Sequence, residues 1–344
     1  MTSPCFFVNL LIVVVNQIAL KTQSYTPSVK AQILTLLRDE PGTFFSGEFL
    51  AAKLEVSRVA VWKAVKSLQT LGYPILAGEK GYCCKPVPSN DDFLYPWEFG
   101  ESEPFFHYLA STDSTMNRAA EFAARGCPGG TVISAGEQTA GRGRNGRAWA
   151  SSRGGLFFTL LERPALSASE YFRVSLAFQI AAARALAELC GKPIRLKWPN
   201  DLYAEGKKIA GLLTEIHGEG DRLLWVSLGL GVNVYNSLPP GRWAGEISSK
   251  QPVNCSSLTS RPISRREVLL AILEQWELVK KDLNSPTLHR QWNSLAWGIG
   301  KKVPGTAGGI FMGIDEQGRG IIKLENQRQF FCNPGDITIR GISA

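Results

Sequence analysis

Histidine is scarce in this chain: there are three in 344 residues, at positions 107, 217 and 289, none with a partner at ligand spacing. Cysteine occurs seven times (5, 83, 84, 127, 190, 255, 332), but scattered, with no zinc-type spacing and with Cys83 and Cys84 adjacent. These absences argue against a resident metal centre and a disulfide scaffold, and free thiols in a reducing cytoplasm are expected. No internal repeat or low-complexity tract is present, which excludes a solenoid or a disordered linker protein. Long apolar runs are missing too. Residues 5–15 are largely apolar, yet Asn9 and Asn16 interrupt them. The run is well short of the roughly 20 residues of a membrane span, and no basic segment precedes it as in a secretory signal. Residues 1–25 are read as an N-terminal extension, either a mis-assigned start or a packed arm.

What remains is a globular composition, 44% hydrophobic and 20% charged, with room for two or three domains. Net charge is +8, which favours polyanionic partners such as nucleotides, nucleic acid or an acidic protein. The densest positive charge lies in Gly141-Arg142-Gly143-Arg144-Asn145-Gly146-Arg147, followed by Trp149. Glycines let backbone N–H groups approach an anion, and arginine adds a planar fork matched to phosphate or carboxylate. A solvated basic loop fits the same residues. Apolar runs on both sides, at 130–135 and 155–161, place the loop inside a folded domain.

In chain order, apolar spacing predicts a helix over 27–38. Ser46 caps a short helix to Leu54, Glu55 and Val56 turn, and Ser57 caps a helix to about Leu71. This is the pattern of a helix-turn-helix. In the second helix Ala60, Val61, Ala64, Val65 and Leu68 form the inward stripe, while Arg58, Trp62 and Lys66 share another face. Two short strands around a glycine-bounded tip (73–82) form a wing. With Ser57, Lys63 and Lys80, the outward residues are candidates for contact with phosphates and base edges. A helical packing module that touches no DNA is the alternative. Pro86, Pro88 and Pro96 mark a linker, set at 86–104.

Beyond it, strands are expected at 105–109, 131–135, 155–161, 207–215 and 223–230, and helices at 115–124, 170–190, 264–282 and 288–295. The Pro199-Asn200-Asp201 turn, with the return through Lys207 and Lys208, should bring Lys208 close to Asn200 and Asp201. Gly229-Leu230-Gly231-Val232-Asn233 has glycine spacing like a dinucleotide motif, but no helix follows, so that reading fails. From residue 300, strands at 310–314, 320–324, 329–332 and 336–340 predict a small β-barrel.

GRGRNGRAW, KWPNDLY and KKIAGLLTE, in this order behind a winged helix and ahead of a small barrel, resemble the bifunctional biotin–protein ligase and biotin-operon repressor family of bacteria. The resemblance spans roughly residues 28–342. It implies an α+β multidomain protein with three parts. These are a winged helix-turn-helix (26–85), a central mixed-sheet domain of the class II synthetase and biotin/lipoate ligase type (105–296), and an SH3-like β-barrel (297–344). It implies biotin and Mg-ATP as substrates, biotinyl-AMP as intermediate, and a lysine of a biotin carboxyl carrier protein as acceptor. It also implies operator DNA as a partner of a ligand-promoted homodimer. Carried over by position, Lys208, Arg142 and Arg144 are the catalytic cations. Ser114, Thr115, Met116, Gln138, Arg142, Gly143, Arg144 and Lys208 hold biotin. Arg144, Arg147, Trp149, Asn200, Asp201 and Asn233 hold ATP, and no residue is assigned to a metal.

The chain departs from the family pattern where asparagine usually follows Ser-Thr: here Met116 stands, with Asn117 one residue later. Asn117 either compensates or a contact is lost. Asn145 also thins the loop's charge. A lipoate-type ligase and a non-catalytic ligand-sensing DNA-binding regulator are the alternatives.

Overall fold

Three serines open three helices in the first part of the chain. In the computed structural model, which describes residues 25–85, 92–238, 251–303 and 309–333, Ser28 Oγ accepts from Ala31 N at 3.3 Å. Ser46 Oγ accepts from Phe49 N at 3.0 Å and Ser57 Oγ from Ala60 N at 3.1 Å. Each pairs an N–H that has no acceptor inside its helix, which stabilises by roughly 1 kcal/mol. The helices are α1 (Val29–Asp39), α2 (Gly47–Lys53) and α3 (Arg58–Thr70). Between α2 and α3, Glu55 turns the chain at φ 54° and Val56 N bonds Ala51 O at 3.0 Å. Strands β1 (Ile75–Gly78) and β2 (Gly81–Cys84) form the hairpin of the wing, and Phe45 bridges to Tyr82. Ile33, Leu37, Leu50, Val61, Val65 and Leu68 form the core of this part. Full burial of such a side chain stabilises by about 1.5–3 kcal/mol.

The chain divides into two compact units, residues 1–107 and 108–344. The first is larger than expected, because the described part of the expected linker, from Asp92 on, folds onto it. Phe93, Tyr95, Trp97 and Phe99 alternate along the segment. Phe93 stacks on Tyr73 with centroids 4.0 Å apart, and Tyr95 on Trp97 at 4.8 Å. Below them, Glu98 accepts from Tyr73 Oη at 2.6 Å and pairs with Arg38 at 2.8 Å. Aromatic burial and a paired buried carboxylate outweigh the proline signal.

The second unit is built on a seven-stranded sheet, in the order β3 (Phe106–Leu109), β4 (Thr131–Ala135), β5 (Leu156–Glu162), β9 (Arg222–Val232), β8 (Lys207–Glu219), β7 (Asp201–Ala204), β6 (Ile194–Lys197). Pairs from β4 to β6 along this order are antiparallel, whereas a parallel bridge joins Thr112 to Gln138 just beyond β3 and β4. Neighbouring strand residues face opposite ways. Phe158 meets Phe178 of α5 (Tyr171–Cys190), and Thr159 meets Thr115 of α4 (Thr115–Ala124). α5 and α4 therefore cover opposite faces. α6 (Arg265–Val279) packs on α5, placing Trp276 edge-on to Phe178.

The expected β8 and β9 are longer than their apolar patterns, meeting in a tight turn at Gly220-Asp221. Near the C-terminus β10 (Ile310–Ile314), β11 (Gly320–Lys323) and β12 (Gln329–Cys332) form an antiparallel sheet. Asn293 on α7 (Leu288–Leu295) ties β10 through Ile314, and Trp198 Nε1 donates to Gly318 O at 3.2 Å. The expected strand at 336–340 and the extension at 1–24 lie outside the described residues.

Candidate active site

On the sheet face shared with α4, glycines replace side chains where the strands are approached closely. Gly211 of β8 pairs with Gly231 of β9. A Cβ on Gly211 would lie 2.9 Å from the Trp149 ring, and one on Gly231 would lie 2.5 Å from Trp149 Nε1. Trp149 thus lies across a floor free of side chains, fixed at the end of the basic loop by its N–H to Gly141 O at 2.8 Å. Its indole N–H is covered and has no acceptor among the described residues.

Lys208 Nζ sits 5.0 Å from the Trp149 ring centroid and 2.8 Å from Asp201 Oδ1. The hairpin therefore brings Lys208 to Asp201 as expected. Both side chains are mostly buried, so their attraction is strong but offset by lost hydration. A ligand charge entering here can compete for either partner. Arg144 also faces Asp201; burial lowers its pKa and Asp201 opposes that effect. It remains a cation in any protein environment.

At the other end of this face, Ser114 caps α4, its Oγ accepting from Met116 N at 3.3 Å. Thr115 is buried, and its backbone N–H and hydroxyl both donate to Gln138 Oε1, at 2.8 and 3.2 Å. Gln138 Nε2 donates to Ser151 Oγ at 2.9 Å, and Thr159 Oγ1 donates to Thr115 Oγ1 at 2.9 Å. Much of the hydrogen-bonding capacity of Gln138 is spent inside the protein, holding the Ser-Thr turn to the end of the basic loop. Met116 is buried with its sulfur over Gly229, where a Cβ would lie 2.5 Å away. It packs on the sheet floor beside the turn.

The basic loop is a closed turn. Gly143 N donates to Arg147 O at 2.7 Å, Arg147 N to Arg144 O at 3.3 Å, and Arg142 bridges to Ala148. Asn145 at φ 56° and Gly146 at φ 70° reverse the chain. Arg142 donates to Asn117 Oδ1 at 2.8 Å and approaches Glu215 Oε1 at 3.3 Å.

Two residues expected at ATP also make contacts within the protein. Asn200 Nδ2 donates to Leu212 O at 2.7 Å, while Leu212 N returns to Asn200 O at 2.9 Å, stapling the Pro-Asn-Asp turn to β8. Asn233 is buried; its amide donates to Val253 O at 3.3 Å and accepts from Asn236 Nδ2 at 3.3 Å. Asn233, buried, must find internal partners and does, whereas Asn200 is half-buried. Among the described residues no group of three or more His, Cys, Asp or Glu clusters as metal ligands would, and no helix is long and apolar enough to cross a membrane.

In the first unit, Val61, Ala64, Val65 and Leu68 of α3 point inward, with Ala60 half-buried. Ser57, Arg58, Trp62, Lys63 and Lys66 are exposed, Trp62 at 56%. Lys80 is exposed at the wing tip. An exposed tryptophan among cations on a recognition-type helix suits a polyanion with stacked bases.

Residues 29–83 match a helix-turn-helix (HTH) domain family, from the first residue of α1 into β2. Residues 108–233 match the biotin/lipoate A/B protein ligase family and take in every candidate of the second unit. "Bifunctional ligase/repressor BirA" of Bacillus subtilis (strain 168) is 31% identical over 313 residues, covering 87% of this chain and 94% of that protein. The chain belongs to the bifunctional ligase/repressor family. "Biotin--[acetyl-CoA-carboxylase] ligase" of Paracoccus denitrificans is 33% identical over 231 residues, 64% of this chain and 95% of that protein. Among solved structures, the biotin protein ligase from Aquifex aeolicus in complex with biotin and ATP superposes with a TM-score of 0.57 at 29% identity, covering 68% of this chain and 97% of that one.

Several members of the site escaped the sequence reading. Glu215, Asp113, Ser151 and Thr159 became visible only once strands were paired. The glycines at 211, 229 and 231 did carry a signal, because glycine inside an otherwise apolar strand marks a close approach.

Proposed function

We propose that this protein joins biotin to ATP as biotinyl-5'-AMP, transfers the biotinyl group to a lysine of a biotin carboxyl carrier protein, and represses transcription from an operator through its winged helix. The observation that carries the reading is the Lys208–Asp201 pair at 2.8 Å beside the Trp149 indole, on a floor of Gly211 and Gly231.

In the first step a biotin carboxylate oxygen attacks the α-phosphorus of Mg-ATP. An O–P bond forms, and the bond to pyrophosphate breaks with the electron pair leaving on pyrophosphate. Two anions must meet, so fixed cations are needed where charge develops. Lys208 and Arg144 supply them, exchanging Asp201 for the substrate oxygens. Trp149 offers an aromatic face to adenine, and Arg147 adds charge toward the phosphates. Ser114 and Thr115, held by Gln138, present hydroxyls to the ureido group, with Arg142 and Gly143 closing that end and Met116 forming apolar wall. In the second step the neutral acceptor amine attacks the acyl carbon, an amide bond forms, and AMP leaves. Asp201, released from Lys208, is the carboxylate placed to take the amine's proton.

Magnesium arrives with ATP as part of the substrate. Asn200, tied to β8 through its amide nitrogen, turns its side-chain oxygen to ATP, and Asn233 braces the ATP end of the site from within. The C-terminal sheet closes as an SH3-like barrel, and the protein works in the cytoplasm. Binding of the adenylate promotes a homodimer that presents two winged helices to a palindromic operator. The test is biotin-dependent ATP–pyrophosphate exchange followed by labelling of a carrier domain, with lipoate as competitor. Exchange that lipoate supports and biotin does not would overturn the biotin assignment, and binding without exchange would overturn the ligase.

A further inference from the structure

We infer that Asn117, the residue after the buried Met116, is a positioning residue that latches the basic loop through Arg142. The inference rests on the ligase reading for its catalytic consequence, but its geometry stands independently. Asn117 Nδ2 donates to Asp113 Oδ2 at 2.6 Å, and Asn117 Oδ1 accepts from Arg142 at 2.8 Å. A carboxamide carries a donor and an acceptor on separate atoms, so it donates to a carboxylate on one side and accepts from a guanidinium on the other. The amide thereby links the negative Asp113 to the positive Arg142 across the gap between the Ser-Thr turn and the loop.

Both ends of the latch are anchored. Asp113 is paired with Arg118 at 3.4 Å, and its backbone carbonyl accepts from Ala140 N at 2.9 Å. The Asn117 amide and the Ser114 backbone N–H hold the Asp113 carboxyl well below its ordinary range. Arg142 has a second tether, Glu215 Oε1 at 3.3 Å on β8. Met116, buried over Gly229, fixes the helical phase that turns Asn117 toward the loop. In this chain, then, position 116 seals the floor and position 117 carries the polar contact, and the two jobs are separated by one residue.

The latch predicts two readouts. Trypsin cuts after Arg142, Arg144 and Arg147, so loop release is measured directly on the full-length protein with no ligand. Asn117→Ala should speed nicking there about tenfold, the effect of losing hydrogen bonds to charged groups. In pyrophosphate exchange it should raise KM for biotin by about the same factor, with kcat within about threefold. The exchanged pair Asp113→Asn with Asn117→Asp restores donor and acceptor in reversed order and should recover both readouts. In an Arg142→Ala background Asn117→Ala should add nothing to nicking at Arg144 and Arg147. Unchanged nicking in Asn117→Ala, or an undiminished effect in the Arg142→Ala background, overturns the latch even if the exchanged pair fails to fold. If the unmodified protein supports no exchange, the ligase reading falls, and the nicking arm still decides the latch.

Discussion

The outer face of α3 and the glycine-floored face of the central sheet hold their polar residues in different ways. On α3, Arg58, Trp62, Lys63 and Lys66 project from a helix whose opposite side is core, with no side-chain hydrogen bond or ion pair among the described residues. On the sheet face, Thr115, Gln138, Ser151 and Thr159 form one connected network, and Asp113, Asn117, Arg142 and Glu215 form another. A face of independent charges suits a long polyanion, whose affinity is a sum of phosphate contacts. A networked face suits a small ligand held in one geometry through a reaction.

The sharpest test of that contrast is Lys208. Lys208→Ala should lower the rate of pyrophosphate exchange by about 10²–10³-fold, the usual loss for one preorganised charge-stabilising group. DNA binding measured without biotin and ATP should change little in the same protein, and a matching loss of both would erase the distinction between the faces.

On α3, Lys66→Ala should weaken DNA binding across sequences and reduce the salt slope by about one. Lys66→Ala and Arg58→Ala should combine additively in mobility shifts at several salt concentrations. Strong coupling between them would mean that the helix face is networked after all.

Gln138→Ala should destabilise by about 1–3 kcal/mol, because Thr115 and Ser151 lose a buried partner. Lys63→Ala should stay within about 0.5 kcal/mol. Denaturant melts of the two variants measure the difference directly.

Gly231→Ala places a Cβ where the Trp149 indole lies. Overpacking of this kind typically destabilises by about 1–3 kcal/mol, and displacing the ring should shift tryptophan fluorescence. An unchanged spectrum would show that Trp149 does not rest on the floor in solution.

The smallest effect concerns pH. The Asp113 carboxyl is depressed first by the Asn117 amide, then by the Ser114 N–H. A depressed carboxyl contributes stability above its unfolded pKa and loses it as pH falls through the folded one. Resistance of the loop to nicking, corrected for the protease's own profile, should therefore be flat between about pH 5 and 9. A step inside that window would point to another titrating group.

The helix caps at Ser46 and Ser57 and the inward stripe of α3 were legible because a helix repeats locally: cap and periodicity are set by residues within a few positions. The pairing of Lys208 with Asp201 was legible for the same reason, since a short hairpin separates them. Less legible were the partners of Asn200 and Asn233. As isolated letters both resemble ligand contacts, and only the packed structure shows the bonds of Asn200 to Leu212 and of the buried Asn233 to Val253. Prolines suggested a linker before residue 105, and the alternating aromatics from Phe93 to Phe99 that pack on the first unit passed unread.

By itself, then, the sequence determined the order of the elements, the outward face of α3, and the motifs that assign the chain to its family. All of these follow from short-range periodicity and residue chemistry. Tertiary structure alone decided which polar groups remain for a ligand and which are consumed as struts. A hydrogen bond such as Thr159 to Thr115, 44 residues apart, exists only after strands and helix have packed. It also decided that Gly211 and Gly231 lie opposite each other beneath Trp149, because register between distant strands is set by the whole sheet.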